Sequence, residues 1–201
     1  MDNKNICFVH YSKSDVIFRH VYRDKIYGFL YSLTRDYPLF SKWYYGLFEG
    51  EQLKRDREII VAFWGQEMVG ISILKNGSKE KKLCTLKVAK RFRNVGIGKL
   101  LMEQSFAYLE TDEPFFTVSR SNQAQFEKLF QYYGFGPAEE RKNYYHLFRT
   151  EMVFHGELPC RNFWINKLQI ISMEKFFQER IRACQPIERQ DIMRYVIQEY
   201  L

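Results

Sequence analysis

The segment from Val88 to Met102 constrains this chain more than any other, because an extended stretch passes through a glycine-containing turn straight into an amphipathic helix. Leu83 to Val88 reads as a strand, and Arg93-Asn94-Val95-Gly96-Ile97-Gly98 follows within ten residues. Ile97, Leu100, Leu101, Ala107 and Tyr108 then recur at helical spacing, which predicts a helix from about Gly96 to Leu109. Such a junction aims several backbone N–H groups and the positive helix end at one point, where a phosphate is favoured. The glycines let a ligand approach the backbone without meeting a Cβ, and Asn94 tolerates a left-handed conformation. Lys90, Arg91, Arg93 and Lys99 surround the turn with positive charge. The pattern R/Q-x-x-G-x-G/A is weak in isolation and gains its meaning from the strand before it and the helix after it. Dinucleotide and ATP loops fit less well, since the chain has neither GxGxxG after an early strand nor GK[ST].

The elements around this junction predict a mixed α/β body. Asn5 to Tyr11 is a strand candidate, and Ser14-Asp15 offers a cap for a helix over Val16 to Leu33. A second, aromatic helix is expected over Leu39 to Phe48, with the charged stretch Glu51 to Glu58 as a connection. Ile59 to Trp64, Met68 to Leu74 and Leu83 to Val88 form an antiparallel meander, turned by Gly65-Gln66 and by the strong hairpin signal Asn76-Gly77. Downstream, Phe115 to Val118 reads as a strand, and Asn122 to Tyr133 as a helix closed by Gly134. Tyr144 to Phe154 is expected to be extended, with a bend. A change of character near residue 157 predicts a body over 1–156 and a helical C-terminal extension over 157–201, with helices at Met173 to Cys184 and Ile187 to Leu201. The extension carries an apolar stripe that must be covered, either by the body or by a partner; a homodimer is one such arrangement.

The net charge of +7 and pI near 9.1 would ordinarily raise nucleic acid as a partner. The charge is local, however. Lys75 to Lys99 holds nine basic residues and one acid, net +8, whereas the remaining 22 basic and 23 acidic residues nearly cancel. That distribution suits a small polyanion bound at the turn, and nucleic acid is not favoured. No run is long and apolar enough for a membrane span, and no signal-peptide core follows Met1, so no membrane role is expected. Cys7, Cys84, Cys160 and Cys184 lack CxxC spacing, which argues against a metal site and points to a reducing compartment, the cytoplasm.

Leu86-Lys87-Val88, followed by Arg93-Asn94-Val95-Gly96-Ile97-Gly98-Lys99-Leu100-Leu101, resembles the acetyl-CoA motif of the GNAT N-acetyltransferase superfamily. Asn122-Gln-Ala124, followed by Leu129-Phe130-Gln-Tyr-Tyr-Gly134-Phe135, is similar to a second motif of that family, N-x-x-A…Y-x-x-x-G-F. The resemblance covers about residues 5 to 155. It implies a mostly antiparallel sheet flanked by helices, and acetyl-CoA as co-substrate. It implies that Arg93, Asn94, Val95, Gly96, Ile97, Gly98, Lys99 and Leu100 hold the pyrophosphate, with Asn122 and Phe130 also on the cofactor side. The Leu86 and Val88 backbones would pair with the pantetheine arm in a gap between the strands at Leu83–Val88 and Phe115–Val118. The Val88 amide would polarise the thioester carbonyl while a primary amine attacks it directly.

One position departs from the family pattern. Phe130 stands where a tyrosine proton donor is usual, and Tyr133, one helical turn later, is the substitute candidate or else a core residue. Two alternatives to an active N-acetyltransferase therefore stay open: a weakened CoA-binding or regulatory module, and a toxin-like enzyme acting on aminoacyl-tRNA. Other candidates read more simply as structure. His146, beside Tyr144-Tyr145, is a base candidate or a partly exposed strand histidine. Cys84 reads as a small apolar residue. Tyr37, Phe40, Trp43, Tyr44, Tyr45 and Phe48 shape an acceptor pocket or fill a core. Nothing in the sequence identifies the acceptor amine.

Overall fold

Three consecutive strands with apolar residues on both faces form the centre of the protein, for which a computed structural model describes residues 6–37, 39–49, 52–137, 139–146 and 149–159. With β1 (Ile6–His10) on the outer edge, β2 (Arg57–Trp64), β3 (Glu67–Asn76) and β4 (Lys81–Val88) make an antiparallel sheet in the order β1-β2-β3-β4. Both faces of β2 and β3 are covered, so these strands alternate between two apolar layers instead of between core and water. Ile59, Val61, Phe63, Ile71 and Ile73 pack towards α1 (Val16–Leu30) and α2 (Phe40–Gly46). Ile60, Ala62, Val69, Leu74 and Leu83 pack towards α4 (Ile97–Leu109), which follows the short α3 (Gln52–Arg55) in the chain.

A second sheet, in the order β5-β7-β6, contains β5 (Phe116–Ser119), β6 (Glu139–Lys142) and β7 (Thr150–Phe154). Phe116, Met152 and Phe154 lie on its α4 side and pack with Phe130 of α5 (Glu127–Tyr133). The two sheets touch where Lys82 bridges Phe115, with the Leu83 N–H donating to the Phe115 carbonyl at 3.0 Å and the Phe115 N–H to the Lys81 carbonyl at 2.9 Å.

The mixed α/β class, the meander and the main helices agree with the sequence reading. Asp15 caps α1, its carboxylate accepting from the Phe18 N–H at 2.7 Å. Several boundaries move. The first helix stops at Leu30 and tightens into a 3₁₀ segment, Tyr31–Arg35, and the connection before β2 contains α3. Asn76-Gly77 does lie at a hairpin, yet Asn76 still pairs with Lys81, so residues 77–80 form a four-residue loop. The Asn76 amide bonds the Tyr108 carbonyl instead of turning the chain. The helix expected over Asn122 to Tyr133 is a 3₁₀ segment, Arg120–Gln125, and then the shorter α5. The stretch expected to be extended from Tyr144 begins as a turn, and β6 lies before it. The helices expected at 173–184 and 187–201 lie outside the described residues.

Candidate active site

Beyond Leu83, no ladder joins β4 to β5 among the described residues, so a gap opens from their paired ends towards Val88 and Ser119. Two backbone hydrogen bonds show which groups of β4 face it. Leu83 donates towards β5, whereas Ala89, six residues on, donates to Val69 on the β3 side at 2.8 Å. Strict alternation would send both the same way. The register shift opposite Ile73/Leu74 makes the difference: Leu74 pairs with Leu83 and Ile73 with Thr85, leaving Cys84 as the extra residue of a bulge. After the bulge, Thr85 and Lys87 bond to β3, and the N–H and C=O groups of Leu86 and Val88 turn towards the gap. Those are the two residues the sequence reading assigned to a bound chain of amides.

At the end of this open edge stands the glycine turn. Gly96 is the N-cap of α4 with φ +94, and Asn94, read as tolerant of a left-handed conformation, has φ +62. The first bond within the helix runs from the Leu100 N–H to the Gly96 carbonyl at 3.0 Å. Leu100 is therefore already engaged, and the N–H groups of Ile97, Gly98 and Lys99 form the uncapped first turn. This turn is held against the sheet by close packing: a Cβ on Gly70 of β3 would stand 2.7 Å from Leu101 Cδ1 and 3.3 Å from Ile97 Cγ2. Val95 packs on the α4 core, and Arg93 Nε donates to the Val88 carbonyl at 3.3 Å.

The structure corrects the reading of the basic segment. Lys75, Lys79, Lys81 and Lys82 sit at the hairpin end of β4, about 23 Å from Val88 at the rise of an extended strand. There Lys75 pairs with Glu80 at 2.7 Å, and Lys81 with Glu110 at 3.6 Å. Lys87 is directed to the other face of the sheet, donating to the Phe29 carbonyl at 2.7 Å and to Ser32 Oγ at 2.6 Å; burial lowers its pKa, helped by Arg93. Arg91 pairs with Glu67. Lys99 lies 3.8 Å from Glu103 and over the Tyr132 ring, and its hydrogen bond to Tyr132 raises its pKa. The turn itself keeps Lys90, Arg91, Arg93 and Lys99, so a ligand there accounts for four of the nine basic residues.

Phe130 is buried at 6% exposure, ringed by Phe116, Phe126, Phe135 and Phe154. Tyr133 packs on Phe106 and Phe135 and donates its hydroxyl to the Lys99 carbonyl at 3.5 Å, and burial pushes its pKa up to about 12. The tyrosine therefore keeps its proton through the neutral range and reaches the first turn of α4. The Asn122 amide donates to Asp36 at 2.9 Å, and its oxygen accepts from Gln125 at 3.0 Å.

Sequence reasoning missed Glu151. This residue of β7 is 1% exposed and sits opposite Ser119, the last residue of β5 at the open end of the gap. Its neighbours Met152 and Phe154 show which side is which: they face α4, so Glu151 and Val153 face the α1–α2 side. There Tyr37 donates to its carboxylate at 3.5 Å, Thr117 donates from β5, and Asp36 lies close by, paired with Arg149. Burial first, then the Asp36 charge, pushes the Glu151 pKa from 4.5 up to about 7. The other aromatics of the segment divide accordingly. Phe40 and Tyr44 are core, with the Tyr44 hydroxyl bonded to the Arg23 carbonyl at 2.7 Å, while Tyr37 meets Tyr145 edge to face at the site.

The remaining candidates are placed elsewhere. His146 lies in the turn between β6 and β7 rather than on a strand, its carbonyl accepting from the Arg149 N–H at 3.3 Å. Cys84 is the bulge residue, its thiol raised by burial. Among the described residues no group of three His, Cys, Asp or Glu side chains could hold a metal ion, and no helix is long and apolar enough to cross a membrane.

Known proteins share this fold. The model of the acetyltransferase (GNAT) domain matches residues 43–155, more than half of the chain. A GNAT-family protein from Desulfovibrio desulfuricans superposes with a TM-score of 0.55 at 15% identity, covering 74% of this chain and 96% of that one. A GNAT-family acetyltransferase from Elizabethkingia anophelis with acetyl-CoA bound gives a TM-score of 0.47 at 17% identity, covering 76% of this chain and 97% of that one. No curated protein matches the chain.

Proposed function

The chain belongs to the GNAT acetyltransferase family, and from that premise we propose that it transfers an acetyl group from acetyl-CoA to a primary amine by direct attack on the thioester. The observation that carries this reading is the continuity of the open edge of β4 with the uncapped first turn of α4. Ile97, Gly98 and Lys99 offer N–H groups to the pyrophosphate, with Gly96 and Asn94 shaping the approach and Lys90, Arg93 and Lys99 adding charge. The pantetheine amides pair with Leu86 and Val88 as a short additional strand would. An N–H preorganised at Val88 stabilises the oxyanion of the tetrahedral intermediate.

The amine approaches from the α1–α2 face, where Glu151 and Tyr37 lie, while the cofactor occupies the face of α4. The nitrogen bonds to the carbonyl carbon first, and collapse of the resulting intermediate then breaks the C–S bond. The departing thiolate takes its proton from the nitrogen of the intermediate, since the Tyr133 hydroxyl is bonded to the Lys99 carbonyl at the pyrophosphate turn. Phe130 has no proton to give, so it packs beside the cofactor rather than acting on it.

Thiol release from acetyl-CoA, followed across a panel of primary amines with the full chain, tests the proposal. Amine-dependent release and an acetylated amine by mass spectrometry are the expected result. Binding of CoA without release for any amine would favour the weakened module, for which Phe130 is the supporting observation.

A further inference from the structure

Resting on transfer to an amine as proposed above, we infer that Glu151 is the base that takes the proton from the acceptor ammonium, a catalytic residue on β7. Geometry carries the assignment. Glu151 is the cross-strand partner of Ser119, at the end where β4 and β5 have separated, and it faces the side opposite α4. A thioester held along β4 and an amine entering from the α1–α2 side would meet beside it.

Its surroundings suit a proton acceptor. On the α1–α2 segment, the Tyr37 hydroxyl donates to it and Asp36 adds a negative charge. On β5, Thr117 donates to it; on β6, Arg141 is its cross-strand partner and leans to Glu139. Arg149, just before β7, is engaged by Asp36, so its charge is largely spent there. Tyr145 closes the far side of Tyr37. Asp36 pairs with Arg149 and Glu139 with Arg141, so the ionised Glu151 carboxylate leaves one net negative charge to draw a cationic amine. Burial and Asp36 hold the group near neutrality, where a general base is most effective.

The step balances. The ammonium gives one proton to the Glu151 carboxylate, and its freed lone pair forms the N–C bond to the acetyl carbon. Collapse breaks the C–S bond, one nitrogen proton passes to the thiolate, and the neutral Glu151 returns its proton to water.

Two small probes test the assignment with the full chain: ethylamine, an ammonium at pH 7, and trifluoroethylamine, already neutral there. Glu151→Gln keeps groups able to bond Tyr37 and Thr117, and its melting temperature and CoA affinity report whether the fold survives. The expected result is a loss of about a hundredfold in kcat/KM for ethylamine, the lower range for general base catalysis. Trifluoroethylamine should stay within about threefold, because it has no proton to lose before attack. In the wild type the ethylamine profile should level off once pH passes about 7, whereas in the variant it should go on rising with the fraction of free amine. Equal losses for both amines, or none for either, would overturn the assignment. Absence of thiol release with every amine in the wild type would instead overturn the transfer reading on which it rests.

Discussion

Gly98→Val separates the ligand's need for a glycine from the fold's need for one. Gly98 is the second helical residue of α4, and its φ is not in the left-handed region, so a side chain is compatible with its backbone. A Cβ there would stand 3.9 Å from Val88 Cγ2, an ordinary contact. Glycine is itself a poor helix former, worse than alanine by about 0.8–1.0 kcal/mol, so valine should leave stability within about 1 kcal/mol of the wild type. The new methyl groups tilt towards the helix N-terminus, over the N–H groups that would hold the pyrophosphate. Displacing two charge-assisted hydrogen bonds, each worth about 1.5 kcal/mol or more, costs about 3 kcal/mol, roughly a hundredfold in Kd. Gly98→Ala should weaken binding by less than about tenfold, on the smaller volume of one methyl. Gly96→Ala behaves oppositely. At φ +94 a side chain costs about 1–2 kcal/mol by itself, so that variant loses stability as well as affinity. Titration calorimetry with CoA at about 0.1 M salt, where the Debye length is about 10 Å, alongside thermal melting, reads both quantities. A folded Gly98→Val variant that binds CoA within threefold of the wild type would refute a pyrophosphate site on this turn.

Three further outcomes follow from the same packing. A carboxyl whose pKa rises from 4.5 unfolded to about 7 folded binds more protons in the native state, so Glu151 costs stability as pH climbs between those values. Glu151→Gln should therefore gain on the wild type from pH 5 to pH 8, by about 3 kcal/mol at most, and a flat difference in urea midpoints would contradict the shift. Gly70→Ala sets a methyl 2.7 Å from Leu101 Cδ1 and 3.3 Å from the Lys87 carbonyl, and should cost about 1–3 kcal/mol in chemical denaturation while lifting the first turn of α4. Lys87→Met removes the bonds to the Phe29 carbonyl and Ser32, and hydrogen exchange should show the end of α1 opening more easily, at a cost of about 1–2 kcal/mol.

Local patterns that decide backbone shape were readable from the sequence, and groupings that depend on distant segments were not. The turn from Arg93 to Gly98 needs particular residues at left-handed positions and a helix directly after it, so its chemistry is written in consecutive letters. Glu151 reads as one polar letter in Thr150-Glu-Met-Val-Phe154, and a strand with one wet face would look the same. Its hydrogen-bond donor Tyr37 is 114 positions away, and its pKa is raised first by burial and then by Asp36 on the same distant segment. A glutamate in register with the inward Val153 was the available signal. The edge strand β6 was hidden for a different reason: Glu139-Glu140-Arg141-Lys142 has no apolar period, and its place is fixed by pairing with β7. The basic segment misled because charge was counted along the chain, whereas an extended strand sets Lys81 and Val88, seven positions apart, at about 23 Å.

The bulge at Cys84 links the two halves of the site, and it too left a trace in the sequence. In a regular strand Leu83 and Leu86 would lie on opposite faces, yet both pack on the α4 side, as does Val88. The interval of three between the leucines marks the extra residue. Without the bulge, Leu86 and Val88 would spend their backbone groups on β3, and Thr85 and Lys87 would turn theirs to the gap. The same slip would move the Lys87 side chain to the α4 face, where it could not reach the Phe29 carbonyl. With Cys84 in the chain, the bulge thus does two things that a straight strand of the same residues cannot do together. It frees the amides that receive a bound thioester, and it leaves Lys87 pinning the end of α1, the element that leads into Asp36 and Tyr37 over Glu151. Deleting Cys84 should therefore leave the Leu83–Leu74 and Thr85–Ile73 pairings in a regular ladder, and replacing it by alanine or serine should likewise disturb neither face.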